Sequence, residues 1–331
     1  MPIFKPGKKN LLSDVRGLLV GNAHDENLKS GVTVIYGEKP FLAGISIMGG
    51  APGTRETDLL APDKLVQLVD AIVLSGGSSF GLDAASGVTD ELKKKNRGFP
   101  TSIMPIPIVP CAILYDLNNG GKKNWVANPY RNLGVKALSN ASKTFEIGTC
   151  GAGYGATTSN LKGGLGSTSV HLEDGCIVSA LVAVSSVGSA VIGEGRHFWA
   201  APFELDGEYG NLGMPKEYDS SLAGWNSTKS FEKDSTTIGV VATNVVLDKA
   251  QAQRVATAAH DGIARSIYPS HTPFDGDLLF AISTQEKKLK DPTFDTLKIG
   301  HAAAQCVARA IARAVYSAKP LGGDTLPCWS K

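Results

Sequence analysis

Short runs of β-branched and apolar residues alternate with helical periodicity over the first part of the chain. Apolar positions at a spacing near 3.6 predict helices over residues 62–69 and 82–95, and the second ends in three lysines that suit a helix C-terminus. The apolar stretch 103–114 contains three prolines, so it cannot be a central strand throughout. Strands are predicted over residues 18–21, 31–36, 41–47, 71–74 and 176–184.

Residues 194–235 show neither the helical nor the strand period of apolar residues and are rich in Gly, Ser, Trp, Lys and Glu. The residues that follow this stretch show a clear pattern again. Such a long irregular stretch predicts a surface linker that is accessible to cleavage. After it, the chain reads strand, helix, strand, helix, which is typical of an α/β fold. These four elements are predicted over residues 236–243, 247–267, 277–283 and 297–318.

Composition and charge exclude several classes of protein. The 331 residues are 42% hydrophobic and 19% charged, which indicates a folded chain. Lys and Arg together number 33, and Asp and Glu number 31. The chain therefore lacks the excess of positive charge that is typical of a nucleic-acid-binding protein. No apolar run reaches the roughly 18 residues of a membrane span, and the first residues lack a signal-peptide core. The five cysteines form no CxxC pair, so we expect a cytoplasmic protein without disulfides or zinc.

The end of the irregular stretch carries the first candidate for chemistry. The sequence there is Asp-Ser-Thr-Thr-Ile, and a buried type of strand begins at Thr236. A backbone break before Thr236 would create an N-terminal threonine, whose α-amine can serve as the base for its own hydroxyl. The pattern alone also fits, and favours, a strand that carries threonines on a polar face.

A second candidate lies just ahead of the next strand. Asp275 and Asp277 flank a glycine and can direct two carboxylates at one site, where they would orient an amine or a nucleophile. The same sequence is also typical of a simple turn, which composition favours. Of the six histidines, only His271 lies near this pair.

Several long motifs, in order, resemble those of the DmpA-type aminopeptidases, which include β-peptidyl aminopeptidases and the nylon-oligomer hydrolase NylC. The resemblance covers nearly the whole chain. The most specific motifs are GGAPGTRETDLLAP (49–62), AIVLSGGSSFGLDAASGV (71–88), GAGYGATTSNLKGGLGS (151–167), TTIGVVATN (236–244) and HTPFDGDLLFAIST (271–284).

The resemblance implies a four-layer αββα sandwich similar to that of Ntn hydrolases. It implies one catalytic domain, residues 1–331, that cuts itself between Ser235 and Thr236 into an α chain of residues 1–235 and a β chain of residues 236–331. Thr236 would then be the nucleophile, and neither a metal nor an organic cofactor is needed. Members of the family form tetramers of αβ units.

Further residues correspond to family positions. Tyr115 matches a tyrosine on the oxyanion side, and Lys162 matches a lysine near the nucleophile of the nylon hydrolase. Asp275 and Asp277 match its acidic pair. Ser185 stands where family members carry an asparagine that helps to activate or stabilise the site, and its side chain is shorter.

The function implied is hydrolysis of amide bonds by an N-terminal threonine. An aminopeptidase acting on small peptides, amides or esters ranks first, and an endo-acting hydrolase of 6-aminohexanoate oligomers is the alternative. A third hypothesis is an unprocessed binding or scaffold protein, supported by Ser185 and by Ser235, since Gly or Asn is the residue expected before the cut. An acyltransferase of the ornithine-acetyltransferase type shares the threonine strategy, but its motifs are not recognised here. The expected partner is a small peptide or oligoamide.

Overall fold

The computed structural model describes residues 4–217 and 235–330 and contains ten strands and four α-helices there. The strands are Lys5–Pro6 (β1), Leu18–Asp25 (β2), Ser30–Ile47 (β3), Thr54–Arg55 (β4), Leu68–Ser75 (β5), Cys111–Ile113 (β6), Gly164–His171 (β7), Ile177–Ser185 (β8), Thr236–Val245 (β9) and Leu278–Lys287 (β10). The helices are Ala84–Lys94 (α1), Tyr130–Ser139 (α2), Lys249–Ala264 (α3) and Pro292–Tyr316 (α4).

The long strand β3 joins two halves of the sheet. The strands follow the order β1-β7-β8-β9-β10-β3-β5-β6-β4, and β2 pairs with β3 beside this path. The first part of β3 pairs with β2 and β5, and its last part pairs antiparallel with β10. The pairing of β3 with β5 shifts register between Tyr36 and Phe41. Strand β3 therefore belongs to both halves of the sheet, and the two halves can lie face to face.

Three apolar clusters show how the layers are arranged. Alternate residues of β8 point in opposite directions: Val182 belongs to the cluster under α3 and α4, and Leu181 to a central cluster. In β5, Val73 belongs to the cluster under α1 and α2, and Ile72 to the same central cluster. The central cluster thus lies between two sheet layers, each covered outside by two helices. This is the four-layer αββα arrangement predicted from the family resemblance.

Most predicted elements correspond to observed ones, with one exception. The helix predicted over 62–69 is wrong, because residues 62–67 form no helix and β5 begins at Leu68. Leu65 is 83% exposed, so the apparent apolar stripe has no core to face. Helix α2 and strand β7 were not predicted. In 103–114 only Cys111–Ile113 is a strand, as the prolines indicated.

Part of the segment predicted as a surface linker packs into the fold. Within residues 194–217, Phe198 and Tyr209 belong to the apolar cluster under α3 and α4. Glu208 forms an ion pair with the fully buried guanidinium of Arg309 on α4. Residues 218–234 lie outside the described part of the chain. All five cysteines are buried, and Cys111, Cys150, Cys176 and Cys306 are free thiols.

No helix within the described residues is both long enough and apolar enough to cross a membrane.

Candidate active site

Thr236 is the first residue of β9 and lies between β8 and β10. Across the antiparallel pairing with β8, its register partner is Ser185. Across the parallel pairing with β10, Ile238 is the partner of Leu278, so Thr236 lies level with the residues that lead into β10. Thr236 is 3% exposed and Ser235 is fully buried. The sheet register therefore brings together the predicted nucleophile, Ser185, and the loop that carries Asp275 and Asp277, which we call the acidic loop.

The peptide bond between Ser235 and Thr236 is surrounded by hydrogen bonds. The Thr236 hydroxyl donates to the Ser235 carbonyl oxygen at 2.6 Å. The backbone N–H of Gly276 points at the same carbonyl oxygen, at 2.9 Å, and at the Thr236 hydroxyl oxygen, at 3.2 Å. A Cβ at position 276 would lie 2.6 Å from the Ala51 carbonyl oxygen and 2.7 Å from the Thr236 hydroxyl, so only glycine fits there. A fixed N–H beside a hydroxyl and a carbonyl is the arrangement that stabilises an oxyanion.

The Asp275 carboxylate is held by three donors. One oxygen accepts the Val187 N–H at 3.1 Å. The other accepts the Thr272 N–H at 3.1 Å and the Thr272 hydroxyl at 2.6 Å. Burial and then the charge of Asp277 raise the pKa of Asp275 to about 6. Asp275 is thus fixed in direction, and its ionisation responds to pH just below neutrality.

We expect ionisation of Asp275 to make the folded chain less stable as the pH rises from about 4 to about 6. The pKa in the folded chain lies above the ordinary 3.8, so the folded state binds more protons in this window and loses that advantage as the pH rises. The check is the free energy of unfolding of Asp275→Asn, which cannot ionise, and of the parent, both in a Thr236→Ala background. The stability of the Asn variant relative to the parent should increase between about pH 4.5 and about pH 7. A difference that does not change with pH would contradict this.

The Asp277 carboxylate links the strand β9 to the loop before β10. One oxygen accepts the Thr237 N–H at 2.8 Å. The other accepts the backbone N–H of His271 at 3.0 Å and lies 2.9 Å from its ring Nδ1. Asp277 is 1% exposed, so these donors replace water around a buried charge. The carboxylate therefore contacts the residue after the predicted nucleophile and does not contact its hydroxyl.

Ser185 and Tyr115 meet beside Thr236. The Ser185 hydroxyl lies 3.3 Å from the Tyr115 carbonyl oxygen and 3.4 Å from the Thr157 carbonyl oxygen. The Thr157 N–H also approaches the same hydroxyl, at 3.4 Å. Tyr115 thus reaches the site through its backbone, and its hydroxyl has no hydrogen bond to another described residue. All three contacts of Ser185 are long, as expected of a side chain shorter than asparagine.

Lys162 lies one strand further along the sheet and is 3% exposed. Its ammonium group pairs with Asp324 at 2.8 Å, and Lys29 pairs with the other oxygen of the same carboxylate at 3.2 Å. Burial alone would raise the pKa of Asp324, but the bonds to the lysines, chiefly Lys162, keep it below the ordinary value. A backbone bridge joins Lys162 to Thr157, which contacts Ser185. Lys162 is therefore near the site, with its charge directed at Asp324.

Sequence reasoning missed several groups at the site. Gly276 and Val187 contribute backbone N–H groups, whose direction cannot be predicted from the type of residue. Asp324 comes from the C-terminal segment, and nothing in the sequence relates it to Lys162. His271 was the exception, since its spacing from the acidic pair gave a signal. Among the described residues no three His, Cys, Asp or Glu side chains converge as they would to hold a metal ion.

Comparison with known proteins identifies the family. Residues 10–326 match the profile of peptidase family S58. An uncharacterized aminopeptidase of Mycobacterium tuberculosis is 38% identical over 95% of this chain and 96% of its own length. A 6-aminohexanoate-oligomer endohydrolase of Paenarthrobacter ureafaciens is 29% identical over 86% of this chain and 78% of its own length.

A solved structure shares the fold. The L-aminopeptidase D-Ala-esterase/amidase of Ochrobactrum anthropi, described as a variant of the Ntn-hydrolase fold, superposes with a TM-score of 0.70. The superposition covers 98% of this chain and 90% of that one at 23% identity. These findings confirm both the predicted fold and the resemblance carried by the motifs. The chain belongs to peptidase family S58 and is a hydrolase that acts on peptide or amide bonds.

Proposed function

We propose that this chain is the precursor of an N-terminal-threonine hydrolase that cuts itself between Ser235 and Thr236. The observation that carries the proposal is the position of the Thr236 hydroxyl, 2.6 Å from the Ser235 carbonyl oxygen, with the Gly276 N–H directed at both oxygens. The hydroxyl oxygen attacks the Ser235 carbonyl carbon, and the negative charge that develops on the carbonyl oxygen is stabilised by the Gly276 N–H.

Collapse of that intermediate breaks the C–N bond and leaves Ser235 as an ester on Thr236. The proton that the Thr236 hydroxyl loses on attack is transferred to the Thr236 nitrogen, which becomes a free amine. Water then hydrolyses the ester, which releases residue 235 as a carboxylate and restores the hydroxyl. The products are residues 1–235 and 236–331, the second beginning with threonine.

The mature site uses the same groups on an external amide. The Thr236 amine removes the proton of its own hydroxyl, which attacks the substrate carbonyl. The acyl part of the substrate takes the place that Ser235 holds in the precursor, because its carbonyl must face the same hydroxyl and the same Gly276 N–H. The Ser235 N–H donates to the Phe274 carbonyl oxygen at 3.2 Å, so the amine of a substrate residue in that place would meet this carbonyl, which precedes Asp275 in the chain. This supports an aminopeptidase.

The remaining predicted site residues have roles other than nucleophilic attack. By the family resemblance, Tyr115 and Ser185 would contribute to oxyanion stabilisation, although Tyr115 meets Ser185 through its backbone carbonyl. Asp277 fixes the start of β9. Lys162 lowers the pKa of the Thr236 amine through its positive charge, and its ion pair with Asp324 moderates this effect.

An endo-acting hydrolase of oligoamides is the second candidate. It is favoured by the relatives named 6-aminohexanoate-oligomer endohydrolases, which match 86% of this chain. The two candidates differ in their products, because an aminopeptidase releases one residue at a time from the amino end, whereas an endohydrolase first produces shorter oligomers. A time course of a 6-aminohexanoate oligomer and a peptide, each followed by mass spectrometry, separates them.

The test of the proposed function is the intact mass of the purified chain after incubation near neutral pH. We expect the 34.6 kDa chain to give two species of roughly 25 and 10 kDa, with threonine at the N-terminus of the smaller one. A single intact species would favour an unprocessed binding protein. In that case Ser235→Gly and Ser185→Asn, which introduce the residues expected in the family, should be examined next.

We further propose that the enzyme acts in the cytoplasm as an oligomer of αβ units, and the family resemblance implies a tetramer. A cytoplasmic location is supported by four buried cysteines that remain thiols, Cys111, Cys150, Cys176 and Cys306. Burial raises the pKa of Cys111 to about 12, so this thiol stays protonated and unreactive. Size-exclusion chromatography with light scattering gives the number of units.

A further inference from the structure

His271 contacts the acidic pair through two donors on one residue. Its backbone N–H and its ring Nδ1 both meet the same oxygen of Asp277, at 3.0 and 2.9 Å. A carboxylate oxygen only accepts, so Nδ1 carries the hydrogen. The backbone of His271 has a φ of +56°, a left-handed conformation that folds the residue back on itself. This conformation brings the two donors to one side.

Asp277 connects His271 to the groups on both sides of the scissile bond. Its second oxygen accepts the Thr237 N–H at 2.8 Å and so fixes the peptide plane that follows Thr236. Asp277 is also the next residue after Gly276, whose N–H faces the Ser235 carbonyl oxygen. One carboxylate therefore aligns the nucleophile and its oxyanion donor relative to each other.

His260 of α3 holds the His271 ring in place. The two rings pack edge to face with centroids 4.9 Å apart. His260 is 2% exposed, and its Nε2 lies 3.0 Å from the Ser46 carbonyl oxygen. Burial lowers the pKa of His260 to about 4, so its ring is neutral at pH 7. The imidazole of His271 is thus fixed by a neutral neighbour on one side and by Asp277 on the other.

We infer that His271 is a positioning residue, which acts through Asp277 to hold the Thr236 hydroxyl and the Gly276 N–H in register for attack. The inference rests on the proposed self-cleavage at Ser235–Thr236. The residue touches neither reacting group, and its contribution is geometric. A misplacement of about 1 Å at a reacting centre can cost roughly 10²-fold in rate.

Two substitutions of His271 separate the effect of its ring N–H on self-cleavage from the effect of its backbone conformation. Asparagine and glycine both accept a positive φ, but only asparagine retains a side-chain N–H near the position of Nδ1. We expect His271→Gly to slow self-cleavage roughly 10- to 100-fold. His271→Asn should restore the rate to within about threefold of the parent, as one charge-assisted hydrogen bond is regained. The rate is measured by intact mass over time, with the thermal unfolding midpoint of each variant in parallel.

His197→Gly is the matched control. His197 is also partly buried, and its ring Nδ1 lies 2.9 Å from the Gly213 carbonyl oxygen, away from the acidic loop. Its replacement should leave the cleavage rate unchanged.

The outcomes distinguish the inference from the proposed function. A parent chain that stays whole contradicts self-cleavage itself. If the parent is cut and His271→Gly is cut equally fast, only the role of His271 is overturned. If His271→Asn is as slow as His271→Gly at similar unfolding midpoints, the ring donor is not what matters and the inference also fails. Recovery by asparagine at an unfolding midpoint similar to that of His271→Gly supports it, because the rate then follows the regained side-chain N–H and not the stability of the fold.

Discussion

Replacement of Thr236 by alanine is expected to leave the chain uncut and to abolish amide hydrolysis. The substitution removes the hydroxyl that lies 2.6 Å from the Ser235 carbonyl oxygen. Without the cut there is also no free α-amine to act as a base, so both halves of the mechanism are lost. Loss of a nucleophile typically lowers the rate by roughly 10⁴-fold or more.

Two variants make this result specific. Thr236→Ser keeps both the hydroxyl and the amine, so it should still be cut at the same bond. Thr237→Val changes the neighbouring threonine, whose buried hydroxyl has no partner among the described residues. Because valine has nearly the same shape, the fold should be kept and cleavage should proceed. Intact mass over time and the N-terminal sequence of the smaller fragment measure all three.

The pattern of results identifies the nucleophile. If Thr236→Ala is still cut at residue 236, the hydroxyl of this residue does not attack the bond, and the proposed mechanism is wrong. If Thr237→Val stays whole while it unfolds at the same temperature as the parent, the second threonine takes part.

Runs of apolar and β-branched residues predicted most of the sheet, because strands buried on both faces are apolar throughout, and strand β9 is an example. Helices α3 and α4 were predicted from their helical period, and most ends of these three elements agree to within a few residues. Strand β7 was not predicted, because Gly164–His171 is built from glycine, serine and threonine. Its small residues are needed where α4 approaches closely: a Cβ at Gly166 would lie 1.8 Å from the Ala310 carbonyl oxygen. Packing of this kind appears only in three dimensions.

The site was predicted in outline from residue types and the family resemblance. Asp275, Asp277 and Thr236 do come together, because parallel pairing of β9 with β10 places their N-terminal ends side by side. The contact of Lys162 with Asp324 was not predicted, because it joins residues far apart in the chain that share no local pattern. The Gly276 N–H was missed for a different reason, since a backbone donor is present at nearly every residue and only its direction makes it special.

Replacement of Glu208 by alanine is expected to lower the free energy of unfolding by about 3–5 kcal/mol. Glu208 accepts two hydrogen bonds from Arg309, whose side chain is fully buried, and lies 3.8 Å from the Arg313 guanidinium. Removal of the carboxylate leaves two cations inside the protein without their counter-ion. Denaturant unfolding in a Thr236→Ala background, which stays whole, measures the change.

The exposed pair of Asp63 and Lys64 is the matched control. Their side chains are 71% and 47% exposed, so Asp63→Ala should change the free energy of unfolding by no more than about 1 kcal/mol. A similar small change in Glu208→Ala would show that the buried pair contributes little. A double change, Glu208→Leu with Arg309→Met, should cost less than Glu208→Ala alone, because it removes the unpaired charge as well as its partner.

The same ion pair would have a second role in the cut enzyme that we propose. Glu208 lies before the proposed cleavage site and Arg309 after it, so the pair would join two separate polypeptides. Their association then depends on concentration, whereas the precursor is tethered. Cut Glu208→Ala should therefore separate into its two chains on size-exclusion chromatography at a dilution where the cut parent still elutes as one species. Co-elution of both chains of the variant at every dilution would mean that the apolar cluster under α3 and α4 holds them together without this pair.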